Sequence, residues 1–174
     1  HKHIYSIWKR CVKDLAILSA VIAVYIYIAT TIAGICIKRK IYNWEDEAST
    51  CYSAIHMPCE AAPSFALISA VFILQAFAVI FVMGLIMLAV WWITDKKWAG
   101  YLAAMVIVSV EYYDADGAIS TGLLWRKYVM TYSVYKKGIL LGKNILMPIA
   151  VCIAMLLVTS LIVRLKKKEF INSR

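Results

Sequence analysis

Long runs of apolar residues without a single charge alternate with short polar segments along the chain. A membrane-spanning helix needs about 20 apolar residues, because the bilayer core is about 30 Å thick. Residues 15–37, 61–94 and 144–163 reach that length, and Pro63 indicates where the second helix begins. A shorter apolar segment follows a polar turn at 95–97. The pattern predicts four helices, over residues 15–37, 64–94, 98–113 and 144–163.

This pattern predicts one all-α membrane domain over residues 1–174: a four-helix transmembrane bundle with two extracellular loops and both termini cytoplasmic. Three spans, with residues 98–113 lying in the membrane interface, are the alternative. Composition agrees, since 63% of the residues are hydrophobic and the mean hydropathy is +0.76, whereas a soluble domain is about 45–50% apolar. A soluble enzyme or nucleic-acid-binding domain of this size could not bury that much apolar surface.

Basic residues flank the predicted spans unequally. Of the 19 Lys and Arg residues, 11 fall on the side that holds both termini and the 95–97 turn, and eight fall on the side of the two loops. Because Lys and Arg accumulate on the cytoplasmic side of membrane proteins, we expect both termini in the cytoplasm. The Lys38-Arg39-Lys40 cluster at the far end of the first helix is the strongest argument against that orientation. The net charge of +9 is explained by the membrane, without nucleic acid.

Polar and ionisable side chains are scarce inside the predicted spans. Gln75 is the strongly polar residue of the second helix, and Lys143 lies where its stem can reach the interface. No Asp, Glu or His falls in the middle of a span, so the sequence offers no pathway for a proton or an ion. We therefore expect no enzymatic activity, no catalytic or metal site and no cofactor.

Small residues recur at helical spacing in two of the predicted helices. The first helix has Ala16, Ala20 and Ala23, then Ala29 and Ala33; the third has Ala99, Gly100, Ala103 and Ala104. Such spacing lets membrane helices approach closely. Ordinary packing inside the bundle is favoured over a dedicated dimerisation motif.

Two cysteines, Cys51 and Cys59, share the polar loop between the first two helices. On the outer side of a plasma membrane such a pair is most simply a disulfide that closes a small loop. A zinc site made of Cys51, His56, Cys59 and Glu60 is the less favoured alternative, because this is not a compact zinc-ligand spacing. The loop also looks like the shuttle pair of the vitamin K epoxide reductase family, but the last helix holds only Cys152 instead of that family's Cys-x-x-Cys.

Aromatic side chains are dense in both predicted outer loops. Aromatic residues at this density form either an interfacial belt, which is favoured, or a binding surface for another protein. The candidate partner-binding residues are Trp44, Tyr52, Tyr112, Tyr113, Trp125 and Tyr128.

Trp44 followed by Cys51 and Cys59 in the first outer loop, together with four spans and a short inner turn, resembles the claudin-like tetraspan superfamily. That superfamily includes claudins and the calcium-channel gamma or stargazin-like subunits. The loop lacks the family's Gly-Leu-Trp motif and is shorter than usual. The resemblance implies a non-enzymatic role, either in cell contacts or as a clamp on the transmembrane helices of an ion channel or receptor.

The auxiliary-subunit role is preferred, because a shortened first loop removes much of the surface that claudins present to the next cell. We therefore expect a plasma-membrane protein that binds a larger integral membrane protein, within the lipid bilayer, and modulates its gating or trafficking. Two alternatives stay open: a small structural subunit of an organellar inner-membrane assembly such as a respiratory complex, and a claudin-like cell-junction protein.

Serine substitutions test the predicted disulfide. Cys51→Ser and Cys59→Ser each remove the same bridge, worth about 2–3 kcal/mol in a loop this short, so we expect surface abundance to fall equally in both. Cell-surface biotinylation measures the effect. Unequal losses would contradict a bond between the two residues, and two free thiols in native material would favour the organellar alternative.

Overall fold

The computed structural model describes residues 2–38, 65–113 and 142–172, and this part of the chain is helical except for a two-residue turn. The helices are α1 (Lys2–Lys38), α2 (Phe65–Thr94), α3 (Lys97–Tyr113) and α4 (Gly142–Asn172). Three segments are long and apolar enough to cross a membrane: Ile4–Ile37, Ser69–Thr94 and Pro148–Lys166. The apolar part of α3, Lys97–Val110, is shorter. In this coarse form the predicted all-α, multi-pass membrane fold is confirmed.

Helix α1 begins at Lys2, well before residue 15, where the charge-free run starts. Its 37 residues make a helix about 55 Å long. The sequence pattern missed this extension because a charge-free run marks burial in lipid, whereas a helix tolerates charges on its exposed side. Lys9, Arg10 and Lys13 are exposed and Trp8 is buried, so an amphipathic helix continues directly into the apolar one.

Helix α2 occupies the centre of the bundle and packs against each of the other three helices. It is apolar around its whole circumference, as expected for a helix with neighbours on several sides. Its buried side chains alternate at intervals of four and three residues, the spacing of helices that cross at a shallow angle. They are Val71, Gln75, Ala78, Val82, Leu85 and Ala89, and Phe81 beside Val82 is buried as well. Helix α3 packs mainly on α2, so the described helices surround a central one and do not form a closed ring.

Contacts along the bundle fix the direction of each helix. A Cβ on Gly84 of α2 would meet the side chain of Leu15 on α1, and nearer the other end Tyr27 bonds to Ser69, so α1 and α2 are antiparallel. Lys166 near the end of α4 forms an ion pair with Asp95 after α2, so α4 runs in the same direction as α2.

The first turns of α1, the α2–α3 turn and the last turns of α4 therefore lie at one end of the bundle. We call this the basic end. It is defined by the described basic residues Lys9, Arg10, Lys13, Lys96, Lys97, Arg164 and Lys166.

Asp95 forms the turn between α2 and α3 in a left-handed backbone conformation, with φ of 58°, which aspartate tolerates better than most residues. Its N–H donates to the Trp91 carbonyl at 2.8 Å. The Thr94 hydroxyl donates to the Val90 carbonyl at 2.8 Å and accepts from the Lys96 N–H at 3.3 Å. These local hydrogen bonds satisfy backbone groups at the end of α2 and allow the chain to reverse within two residues.

Small residues bring α3 against α2. Gly100 is buried and Ala99, Ala103 and Ala104 are half-buried, whereas the large side chains of α3 are mostly exposed. A Cβ on Gly100 would lie 2.6 Å from the Met87 carbonyl oxygen, so the two backbones are in direct contact. These less exposed positions of α3 recur on one side of the helix over two turns, so α3 stays in contact with α2 over that length. The small residues predicted to mediate packing in this segment do so.

Candidate functional site

The predicted disulfide and most of the predicted partner-binding residues lie outside the described part of the chain. These residues are Cys51, Cys59, Trp44, Tyr52, Trp125 and Tyr128. Tyr112 and Tyr113 are the last two residues of α3. The proposed loop surface and its disulfide therefore stay predictions, and the candidate site is built here from the helices.

Three polar side chains are buried inside the bundle, one each on α1, α2 and α4. Ser19, Gln75 and Thr159 are each at most 2% exposed. The antiparallel register of α1 and α2 places Ser19 within about one helical turn of Gln75. The Thr159 hydroxyl donates to the Leu156 carbonyl at 3.1 Å. Buried hydroxyl and amide groups are the kind that hold membrane helices together.

No cluster of His, Cys, Asp or Glu that could hold a metal ion occurs among the residues that the structure describes. The three buried polar side chains named above are all uncharged at neutral pH. Of the sequence-predicted polar positions inside the spans, Gln75 is thus buried in the core. Sequence reasoning did not single out Ser19 or Thr159, because hydroxyl groups are common in membrane helices and only the packing shows that these two face inward.

A second interhelical contact joins the other ends of α1 and α2. The Tyr27 hydroxyl donates to Ser69 Oγ at 2.7 Å, and the Tyr27 ring lies 6.1 Å from the Phe72 ring. This pair fixes the rotation of α1 about its axis in the half of the bundle away from the basic end.

Replacing Tyr27 by phenylalanine keeps the ring and removes the hydrogen bond. We expect Tyr27→Phe to lower the free energy of unfolding by about 0.6 kcal/mol, the average for hydrogen bonds between membrane helices. Denaturation by SDS in mixed micelles measures the effect. Tyr25→Phe is the matched control, because Tyr25 is 70% exposed; an equal effect at both positions would show that the interhelical bond contributes nothing.

The small residues of α1 divide into two groups. Ala23 is fully buried within the bundle, as ordinary packing predicts. Ala29 and Ala33 are exposed, and so is Cys36, which continues the same face at helical spacing. We call Ala29, Ala33 and Cys36 the α1 small-residue face. The expectation that ordinary packing within the bundle explains the small residues therefore fails at Ala20, Ala29 and Ala33, which are all exposed.

The basic end combines cations with aromatic rings. Lys9 Nζ lies 5.0 Å from the Tyr5 ring centroid, and Tyr5 stacks on Trp8 at 5.2 Å. Lys96 and Lys97 make the same kind of contact, at 5.8 Å from Trp98 and 5.5 Å from Trp91 respectively. Sequence analysis used these lysines as orientation signals and placed the candidate binding aromatics in the outer loops. Four tryptophans lie close to lysines in the sequence, within residues 8–9 and 91–98. This clustering was the sequence signal for the basic end.

Comparison with protein families, with curated proteins and with solved structures finds no match for this chain. The resemblance to claudin-like proteins therefore stays a prediction. Function has to be inferred from the geometry of the described helices.

Proposed function

We propose that this protein is an auxiliary membrane subunit. It packs on the transmembrane helices of a larger integral membrane protein, a channel or receptor, and alters the gating or trafficking of that partner. The observation that supports this best is the α1 small-residue face, which is directed away from the other described helices.

The position of this face along α1 leaves it available to a partner. Because Leu15 lies beside Gly84 and Tyr27 beside Ser69, the last turn of α1 runs past Phe65, the first described residue of α2. Ala29 and Ala33 are exposed on the same half of α1. A second protein can therefore approach this half of α1 without displacing α2.

The chemistry of the face favours a protein helix over lipid as its neighbour. The rest of the outward surface of α1 carries large side chains that suit lipid chains. They include Ile17, Leu18 and Val21 nearer the basic end and Ile28 and Ile32 beside the face, and these five are 49–61% exposed. Membrane helices associate through close van der Waals packing, for which small residues expose the backbone.

Native co-purification combined with substitutions on the face tests the proposal. The full chain, isolated from its own membrane in mild detergent, should bring down a larger multi-pass companion in fixed stoichiometry. Ala29→Ile with Ala33→Ile adds bulk at the contact, and overpacking of about 1–3 kcal/mol should reduce recovery of the companion by about tenfold. Electrical recording or surface abundance of the companion then reports the functional consequence.

Matched controls add the same bulk elsewhere on the exposed surface. Ala20→Ile on α1 and Ala154→Ile on α4 both lie at exposed positions and should leave the companion bound. Isolation of the chain as a lone homo-oligomer would refute the proposal. Equal losses in the test and control variants would show that the α1 small-residue face is not the contact.

A further inference from the structure

The basic end carries a strong excess of positive charge on its exposed surface. Six of its seven basic residues are exposed, and Lys166 is half-buried; the acidic side chains that the structure describes in the same turns are Asp14 and Asp95, and Glu169, Lys167 and Lys168 also lie in the last turns of α4. Asp95 is already engaged by Lys166. The remaining cations have one unengaged carboxylate, Asp14, beside them among the described side chains.

On three helices these cations lie next to exposed apolar residues, near the end of the outward apolar surface; Ile7 and Leu165 are exposed apolar residues among them. On α1, Lys13 precedes the exposed residues Ile17 and Leu18; on α2, Ile93 is exposed just before Lys96; on α4, Leu161 is exposed just before Arg164. An exposed apolar surface followed by an exposed basic one on three different helices matches the boundary between lipid chains and headgroups.

The aromatic residues at this end reinforce that placement. Trp8, Trp91, Trp92 and Trp98 lie there, with Lys97 and Lys96 over two of the rings. Tryptophan is enriched where one side of the ring is in contact with lipid chains and the other with headgroups. Lysine ammonium groups held over these rings remain at the same level.

Two buried indole donors at the same end have no acceptor among the described residues. Trp8 is 8% exposed, and its Nε1–H, like that of Trp92, is buried without a hydrogen-bond partner in the described part of the chain. A buried donor without an acceptor costs free energy. Because these donors are enclosed, they do not themselves reach a headgroup; phosphate and ester oxygens of a phospholipid are acceptors for the exposed cations beside them.

We propose that the basic end is a binding surface for the headgroups of anionic phospholipids. The exposed cations lie on α1, in the α2–α3 turn and on α4, so they are presented by three parts of the bundle, which suits several surrounding lipids better than one acidic protein. This inference does not rest on the auxiliary-subunit proposal, since it concerns the chain and lipid alone.

Lipid selectivity of the purified full-length chain tests the proposal. The chain is reconstituted in phosphatidylcholine vesicles, and spin-labelled phosphatidylglycerol is compared with spin-labelled phosphatidylcholine by electron spin resonance. The association constant of the anionic lipid relative to phosphatidylcholine should exceed one. Replacing Lys9, Arg10 and Lys13 by glutamine should lower this ratio toward one, because basic residues near the membrane surface attract anionic lipids.

Two matched variants separate charge from a loss of folding. Lys9→Arg with Lys13→Arg retains the charge and should retain the selectivity. Asp14→Asn removes the exposed carboxylate beside Lys13 and should raise the ratio, a direction that damage to the fold would not produce. An unchanged ratio in the glutamine variant would overturn the proposal. If the glutamine variant keeps its lipid selectivity but loses an acidic protein partner in native membranes, the proposal is also overturned. The surface would then be assigned to that partner.

Discussion

Replacing Gly100 by alanine is expected to lower the free energy of unfolding by about 1–3 kcal/mol, the usual cost of overpacking. The added Cβ would lie 2.6 Å from the carbonyl oxygen of Met87 and 3.3 Å from its carbonyl carbon. Because these are backbone atoms of α2, they cannot rotate aside, and α3 must shift. Alanine is favoured over glycine in a helix by about 1 kcal/mol, so a net loss would report the contact itself. Denaturation by SDS in mixed micelles provides the measurement.

Two further alanine substitutions serve as controls for Gly100→Ala. At Gly84 the new Cβ meets the tip of the Leu15 side chain, and a leucine side chain can change rotamer. Gly84→Ala should therefore cost less than Gly100→Ala. Ser109→Ala, at an exposed position of α3, should stay within about 0.5 kcal/mol of the original protein. Equal results at positions 100 and 109 would contradict direct backbone contact between α2 and α3.

Sequence alone predicted the existence and order of the helices because burial in lipid requires long apolar runs. The same reasoning could not find the first turns of α1, since Lys9, Arg10 and Lys13 interrupt the apolar pattern while leaving the helix intact. The turn at Asp95 was predictable for the opposite reason: three consecutive polar residues between apolar runs have to leave the lipid.

The central position of α2 was not predictable from its own residues. A helix that is apolar on all sides can face either lipid or protein, and the membrane does not distinguish the two by hydrophobicity. Ala23 and Ala29 illustrate the same limit: both are alanines of α1, but Ala23 is fully buried and Ala29 is exposed. Only the rotation of α1, fixed by contacts such as Tyr27 with Ser69, separates them.

The candidate sites were predicted least well. Sequence reasoning placed binding residues in the polar loops, where cysteines and aromatic residues are conspicuous, and the described residues do not reach those loops. The helices instead offer the α1 small-residue face and the basic end. Both depend on which side of a helix a residue occupies and on which helix ends lie together, and a linear pattern does not contain that information.

The centre of the bundle should be the most sensitive part of the molecule, and Leu85→Ala is the substitution that tests this. Leu85 is fully buried in α2, the helix that contacts all the others. In water, Leu→Ala in a core costs about 2–5 kcal/mol from lost transfer free energy and from the cavity. In lipid the transfer contribution largely vanishes, because the unfolded side chain is also in an apolar medium. The cavity contribution remains, so we expect a loss of about 2 kcal/mol.

Leu157→Ala on α4 is the matched control, because Leu157 is 66% exposed. Lipid chains can fill the space that this substitution opens, so the change should stay within about 0.5 kcal/mol. SDS denaturation of both variants in the same mixed micelles gives the comparison. If the two substitutions cost the same, α2 is not enclosed by the other helices in the membrane. The packing that directs the α1 small-residue face outward would then be incorrect, and the auxiliary-subunit proposal would lose its main support.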